Sequence, residues 1–503
     1  MAQDHVRKRR VSACRQAHNT TVLPDPDACY NALLAHDTRF DGRFFVGVRT
    51  TRVYCRPVCR VRVPKRENCR FFESAAAAEL GGFRPCLRCR PELAPGRAGI
   101  DSSSRLARAA ALLIEGGELD RGGVEAVAAR LGTSSRHLRR IFGTEFGVTP
   151  VEYAQTQRLL LAKRLLTDSA LPATEIAYAA GFRSLRRFNA VFRERYRLSP
   201  SELRAKAGAQ PAAALRFRLA YRPPYDWPRV LAFLAARRIV GVEMIDDRRY
   251  CRSVELHQGE RVLRGWLMAT PQPERALLEV DLSPSLAPAI PLVLQRVRHL
   301  FDLDCEPDEV MRGLPIEPSP AGPMRLIGAF DGFELAVRGV LGQQVTVKAA
   351  HTLAARFAAA FGQPLDDAAA PAGLTHLFPP PQVIAGVDPS AIAALGITRR
   401  RAQTLQLLAQ RLTEGALRLE PRQPVEAVLA QLAEIPGIGD WTAQYIAMRA
   451  LCWPDAFPAG DLAVLRTLNV KTVAQARDKA RPWQPWRAYA VIDLWSRLPG
   501  VVT

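Results

Sequence analysis

Four cysteines limit what this chain can fold into more than any other feature. Cys55-Arg56-Pro57-Val58-Cys59 is one close pair and Cys86-Leu87-Arg88-Cys89 is another, with 26 residues between them. Two close pairs at that separation form tetrahedral zinc spacing, so any fold must bring both pairs to one point. Phe44-Phe45-Val46-Gly47-Val48 just before the first pair reads as a strand. Cys69 lies between the pairs and reads as a core or surface thiol, with a ligand swap as the alternative. The ten cysteines are clustered rather than spread, which argues for metal over a disulfide framework and for a reducing, cytoplasmic compartment. From spacing alone, a closed zinc site holding a small domain together is the expectation.

The neighbouring residues change that expectation. Val48-Arg49-Thr50-Thr51-Arg52-Val53-Tyr54-Cys55 through Arg60, and Gly82-Phe83-Arg84-Pro85-Cys86 through Pro91, resemble the N-terminal domain of the Ada family of adaptive-response methyl acceptors. The resemblance implies a four-cysteine zinc site of Cys55, Cys59, Cys86 and Cys89, with Cys55 the nucleophile that takes a methyl group irreversibly from a methylphosphotriester in DNA. Zinc holds a thiolate deprotonated at neutral pH. Four thiolates on one zinc carry a formal surplus of negative charge that repels DNA. Methylating one removes part of it, so DNA affinity rises, most at low salt. Arg49, Arg52, Arg56, Arg60, Arg62, Lys65 and Arg66 are expected phosphate contacts.

A repeated pattern follows. Val124–Leu131 is an apolar-periodic helix stopped at Gly132, and Ser134 caps a second, basic helix through Phe142. Ala173–Ala180, Gly181 and Ser184–Phe192 repeat it, joined by a helix over about Pro150–Thr167. Helix, glycine, basic helix, twice, is a helix-turn-helix pair. The second copy, with Ile176, Gly181-Phe182-Arg183-Ser184, Phe188, Phe192 and Ser199-Pro200, resembles the AraC-type DNA-binding module. Expected base readers are Arg136, His137, Arg139 and Arg140, then Arg183, Arg186, Arg187 and Asn189. Arginine pairs with guanine and asparagine with adenine.

Leu432–Asp461 is the third signal. A helix ends at Pro436-Gly437-Ile438-Gly439, a second begins near Asp440 with Trp441, Tyr445 and Met448 on one face, and Phe457-Pro458-Ala459-Gly460 delivers Asp461. Gly437 and Gly439 let backbone approach a phosphate, and amides at a helix start suit one. This stretch resembles the helix-hairpin-helix DNA glycosylases, most closely the AlkA-type 3-methyladenine glycosylases. Tyr221-Arg222-Pro223-Pro224-Tyr225-Asp226-Trp227 and Leu231-Ala232-Phe233 resemble the start of the same family. The resemblance implies that Phe233, Trp441, Tyr445 and Trp495 line a base pocket and that Asp461 is the catalytic carboxylate. Core packing for Phe233 and Tyr445, a helix anchor for Trp495, and a plain N-cap for Asp461 are the structural alternatives. Trp441 stands where bifunctional members carry a Schiff-base lysine, so excision without strand cleavage is expected. Gln344 in Leu341-Gly342-Gln343-Gln344-Val345-Thr346 stands where the family has a leucine wedge, and Gly460 where it has a second aspartate. The resemblance also implies a monovalent cation at the hairpin backbone and no organic cofactor.

At 503 residues the chain has room for several domains. Its formal charge of +21 points to a polyanionic partner, with an Arg-rich soluble surface as the alternative. Residues 1–210 hold 37 Lys+Arg against 20 Asp+Glu, whereas the remainder holds 33 against 29. No apolar run is long enough to span a membrane, and Met1–Asn19 lacks the apolar core of a signal peptide. The expected architecture is multidomain and mainly α with α+β parts. It comprises a disordered basic leader (1–24), a zinc α+β domain (25–97), an all-α double helix-turn-helix (103–206), an α+β subdomain (215–286) and a helix-hairpin-helix glycosylase domain (287–501). The expected function is excision of alkylated purines fused to a methylphosphotriester-sensing activator. The expected partners are double-stranded DNA and RNA polymerase, with no membrane and a monomeric state. A regulator with an inactive glycosylase module is the alternative.

Overall fold

The computed structural model describes residues 25–95, 102–169, 171–207, 214–258, 261–314, 324–421 and 423–497. The basic leader over 1–24 lies outside them.

Four short strands organise the cysteine region: β1 (Phe45–Val48), β2 (Val53–Cys55), β3 (Cys69–Phe72) and β4 (Arg84–Pro85), in the order β3-β1-β2-β4. Strands β1 and β2 form an antiparallel hairpin, and β2 pairs in parallel with β4, Tyr54 opposite Pro85. That parallel register explains the cysteine arrangement. Strand β2 ends on Cys55, and β4 ends one residue before Cys86, whose amide donates to Tyr54 O at 3.0 Å. Gly47 is required on β1, because a Cβ there would meet the Phe72 ring at 2.7 Å.

The next section is all helical among its described residues. The turn-and-cap grammar read from sequence is present: Ser134 caps Ser135–Phe146 and Ser184 caps Leu185–Tyr196, each hydroxyl accepting a backbone N–H. Pro150–Asp168 connects the two halves and opens with a capping box from Thr149 and Glu152. Each recognition helix buries its apolar stripe, Leu138, Ile141 and Phe142 in the first and Phe188, Val191 and Phe192 in the second.

A five-stranded antiparallel sheet follows, β5 (Leu215–Ala220), β6 (Glu243–Ile245), β7 (Tyr250–Gln258), β8 (Arg261–Gln272) and β9 (Leu277–Leu282), in the order β5-β9-β8-β7-β6. Strand β5 alternates, with Leu215, Phe217 and Leu219 buried between Arg216 and Arg218, whereas the three-residue β6 is too short to show a period. Beyond Ile290 the described chain is helical. The apolar periodicity across 333–359 reads as one helix, but the structure has two, Gly332–Leu341 and Val347–Phe361. The chain breaks where Gln344 takes a left-handed conformation at φ +54 and Thr346 caps the second helix. Likewise 391–414 divides into Pro389–Ala393 and Arg399–Thr413.

One continuous apolar core runs from Leu159 in the helix-turn-helix section to Trp495 near the C-terminus. Burying so much apolar surface across the boundary favours a fixed arrangement of the two sections. No described helix is long and apolar enough to cross a membrane.

Candidate zinc centre, DNA-reading helices and excision cleft

The Sγ atoms of Cys55, Cys59, Cys86 and Cys89 all lie within 4.8 Å of one another. Sulfurs about 2.3 Å from a tetrahedral zinc stand close to 4 Å apart, so this set fits the ion. Cys55, Cys59 and Cys86 are buried and Cys89 is half-buried. Cys69 is not part of the cluster; its thiol donates to Lys65 O at 3.4 Å, in a small core with Cys29 and Phe44. Of the expected phosphate contacts, Arg49, Arg52, Arg60, Arg62 and Lys65 are exposed and Arg66 is half-buried. Arg56 departs from expectation. It is buried, its guanidinium donates to Asp41 Oδ1 at 2.8 Å, and its amide donates to Cys89 Sγ at 3.4 Å. It supports the metal ligands from behind, the way outer partners orient a metal site.

Arg136, Arg139, Arg140, Arg186, Arg187 and Asn189 are exposed on the two recognition helices, and Arg183 is exposed in the turn before the second. His137 is half-buried. Arg139 is also held by Glu125 at 3.0 Å.

Asp461 is the N-cap weighed from sequence, and its carboxylate also meets two indoles. Its Oδ1 accepts the Val464 amide at 3.0 Å, capping Leu462–Thr467. The same oxygen accepts the Trp495 indole N–H at 3.0 Å, and Oδ2 accepts that of Trp441 at 2.8 Å. Trp441 and Tyr445, one turn apart on Asp440–Arg449, lie parallel within 5° at 5.4 Å between centroids. Trp495 approaches Tyr445 at 6.1 Å and 44°. Met448, on the same helix, is fully buried in the core. The carboxylate is thus tied to both ends of an aromatic cluster in which Tyr445 and Trp495 are buried and Trp441 is half-buried.

Phe233, expected to line the base pocket with these rings, is buried in the core. It is 1% exposed, with the Arg237 guanidinium 3.7 Å from its centroid and that of Arg449 at 5.2 Å. Arg449 also donates to Tyr445 Oη at 3.1 Å. Burial, together with the neighbouring Arg449 charge, pushes the Arg237 guanidinium down to about 10, and the Asp461 carboxylate opposes that drop. It remains a cation at neutral pH. Neither arginine was singled out from sequence; their signal was only the i, i+4 spacing from Phe233 and Tyr445.

The hairpin turn needs Gly437. Its φ is +93, and a Cβ there would meet Thr404 Oγ1 at 2.2 Å. Gly439 begins Asp440–Arg449 with no side-chain cap and open space beside it, leaving helix-start amides for a phosphate. The carbonyl oxygens of the turn accept protein donors: Pro436 O from Thr404 at 2.7 Å and Gly437 O from Gln343 at 2.8 Å. Gln343 also reaches Thr442 Oγ1 at 2.9 Å. Gln343 therefore ties the loop carrying Gln344 to the hairpin, a role the sequence did not disclose. Gln344 itself is exposed, flanked by the partly exposed Val345 and Val347.

These features define a modular DNA-damage protein, with a zinc-thiolate domain, a tandem helix-turn-helix and a helix-hairpin-helix base-excision fold. Family models match accordingly: the metal binding domain of Ada over 28–92, a helix-turn-helix domain over 127–206, the AlkA N-terminal domain over 216–326, and the HhH-GPD superfamily of base excision DNA repair proteins over 337–482. A probable bifunctional transcriptional activator/DNA repair enzyme AlkA from Mycobacterium tuberculosis is 38% identical over 493 residues, covering 94% of this chain and 97% of that protein. The chain belongs to that family of Ada–AlkA fusion proteins. The DNA-3-methyladenine glycosylase 2 of Escherichia coli is 39% identical over 279 residues, 56% of this chain and 96% of its own. The bifunctional transcriptional activator/DNA repair enzyme Ada of Escherichia coli is 36% identical over 159 residues, 32% of this chain and 43% of its own.

Proposed function

We propose that this protein repairs alkylated DNA and regulates the response to it. The C-terminal half is a monofunctional DNA-3-methyladenine glycosylase, and the N-terminal half is a methylphosphotriester-sensing transcription activator. The division of labour follows the five segments 1–24, 25–97, 103–206, 215–286 and 287–501.

The excision reading rests on one observation, the carboxylate of Asp461 held by the indoles of Trp441 and Trp495 beside the Tyr445 ring. A 3- or 7-alkylated purine is cationic, and its glycosidic bond is already weak. Aromatic faces attract such a base once it leaves the stack. The C1′–N bond breaks with its electron pair going to the base, and positive charge builds on the sugar. Asp461 stabilises that charge and takes a proton from the water that adds to C1′. A carboxylate has about four acceptor positions; the three donors on Asp461 leave one for this work. Gln344 fills the space left by the extruded base, and the amides at Gly437 and Gly439 grip the backbone phosphate.

In the sensor, Cys55, Cys59, Cys86 and Cys89 hold zinc, which keeps the thiolates deprotonated. The Cys55 sulfur attacks the methyl carbon of a methylphosphotriester. The S–C bond forms, the C–O bond breaks, and an ordinary phosphodiester anion leaves. Arg136, Arg139, Arg140, Arg186, Arg187 and Asn189 then read promoter DNA. On this reading the protein acts as a monomer in the cytoplasm and engages RNA polymerase.

The test is release of 3-methyladenine from methylated duplex DNA by the wild type and by Asp461→Asn. Release by the first and not the second is expected. No release by the wild type overturns the glycosylase reading and leaves the regulator alone. Mass spectrometry after incubation with methylphosphotriester DNA tests Cys55: one added methyl group is expected, and its absence from zinc-loaded protein overturns the sensing role.

A further inference from the structure

The zinc-binding section is fastened to the glycosylase section through a buried arginine. Arg222 follows β5, is 2% exposed and ranks among the largest fully buried side chains. Its guanidinium donates to Asp41 O at 3.0 Å and to Asp304 O at 3.3 Å. One acceptor lies in each section, so the docked arrangement supplies acceptors for both terminal nitrogens of the buried cation, while its Nε has none. The Asp41 side chain continues the connection. Its carboxylate pairs with the buried Arg56, whose Nε lies 2.8 Å from Oδ1. Arg56 is covalently next to Cys55; its amide donates to Cys89 Sγ at 3.4 Å and its guanidinium to Cys89 O at 3.3 Å. Two further features fix the loop between. Gly42 packs so closely that a Cβ would meet Pro95 O at 2.0 Å, and Arg43 pairs with Glu306 of the glycosylase section at 2.5 Å.

We propose that Arg222, carried by the section that removes bases, is a positioning residue for the cysteine that accepts the methyl group. This rests on the sensing role proposed for Cys55. Arg222 fixes Asp41, Asp41 fixes Arg56, and Arg56 fixes the peptide after Cys55 together with the ligand Cys89. Without the arginine, Asp41 O is left buried without that donor and the loop relaxes. The Arg56 amide then withdraws from Cys89, and the thiolate set loses an outer support. Docking on the glycosylase section thus adds an outer support to the thiolate set.

The test uses full-length, zinc-loaded protein with Arg222→Met, Arg222→Lys and Asp41→Asn. Three rates are measured: methyl transfer to Cys55 from methylphosphotriester DNA, zinc loss to a chelator, and 3-methyladenine release. Arg222→Met is expected to slow transfer and speed zinc loss, each by about 10-fold, with base release unchanged. Asp41→Asn, which keeps the backbone acceptor but loses the ion pair, is expected to do the same. Arg222→Lys, whose ammonium can serve both carbonyls, is expected to restore both rates. Wild-type transfer and zinc loss in Arg222→Met overturn the proposal, as does a slow transfer that Arg222→Lys shares without faster zinc loss. If Arg222→Met also loses base release, Asp41→Asn decides. If the wild type accepts no methyl group, the sensing role fails and zinc loss alone reads the support.

Discussion

The indole N–H of Trp495 donates to Asp461 Oδ1 at 3.0 Å, joining the last described helix to the start of Leu462–Thr467. Trp495→Phe keeps a six-membered aromatic ring and removes the donor together with the five-membered ring that carries it. A hydrogen bond to a charged acceptor contributes about 1.5–3 kcal/mol, so a roughly 10- to 100-fold fall in single-turnover base release is expected. Asp461→Asn keeps a good cap for Val464 but turns an amide N–H toward an indole N–H. Its base release is expected to drop by about 100-fold or more, with little change in melting temperature.

Gln344 sits at φ +54, a conformation that suits glycine better than glutamine. Gln344→Gly should therefore raise stability by up to about 1 kcal/mol while lowering base release, because nothing then fills the gap left by the flipped base. Gln343→Ala should lower both, since it removes the bonds to Gly437 O and Thr442 Oγ1. Urea denaturation alongside single-turnover release separates the two residues.

Cys59 is 2% exposed inside the thiolate cluster. Cys59→Ser should cut zinc content and abolish methyl transfer to Cys55 while base release persists. Metal analysis on the purified protein, paired with both assays, checks this.

Glu79 is buried between the zinc section and the helix-turn-helix section, taking hydroxyl donors from Tyr54 and Thr156 at 3.2 Å each. Burial pushes its carboxyl from an ordinary value of 4.5 up to about 7. The folded state therefore binds a proton that the unfolded state releases at lower pH. Its contribution is complete below about pH 4.5, falls as pH rises toward 7 and is level above that. The span is of order 3 kcal/mol. Glu79→Gln should flatten that part of the stability profile, read as the difference from wild type in denaturant melts between pH 4.5 and 8.

Arg186 and Arg187 are exposed on the second recognition helix. Replacing a base-reading arginine by alanine should cost about 1–3 kcal/mol and relax preference at one base pair. Replacing a phosphate contact should weaken all sequences alike and reduce the salt slope by about 1. Binding titrations at several salt concentrations assign each residue.

Local chemistry was legible in the chain because it depends on spacing. The cysteine pairs, the serine caps before each recognition helix, the Pro-Gly turn and the aromatic stripe of Trp441 and Tyr445 all act over a few residues, and periodicity or turn chemistry encodes them directly. The break at Gln344 was hidden because both flanking helices bury apolar faces with the same period, and only Thr346 marks the restart.

Contacts between distant segments were decided by the tertiary structure. Burial of Phe233 under Arg449, removal of Arg56 from the DNA-facing set by Asp41, and convergence of two indoles on Asp461 each join residues on different elements. Residue types and short spacings set which side chains could do the chemistry. Which of them face a cleft, a metal or a buried partner depends on how the sections pack, because burial and hydrogen-bond satisfaction are properties of the assembled core.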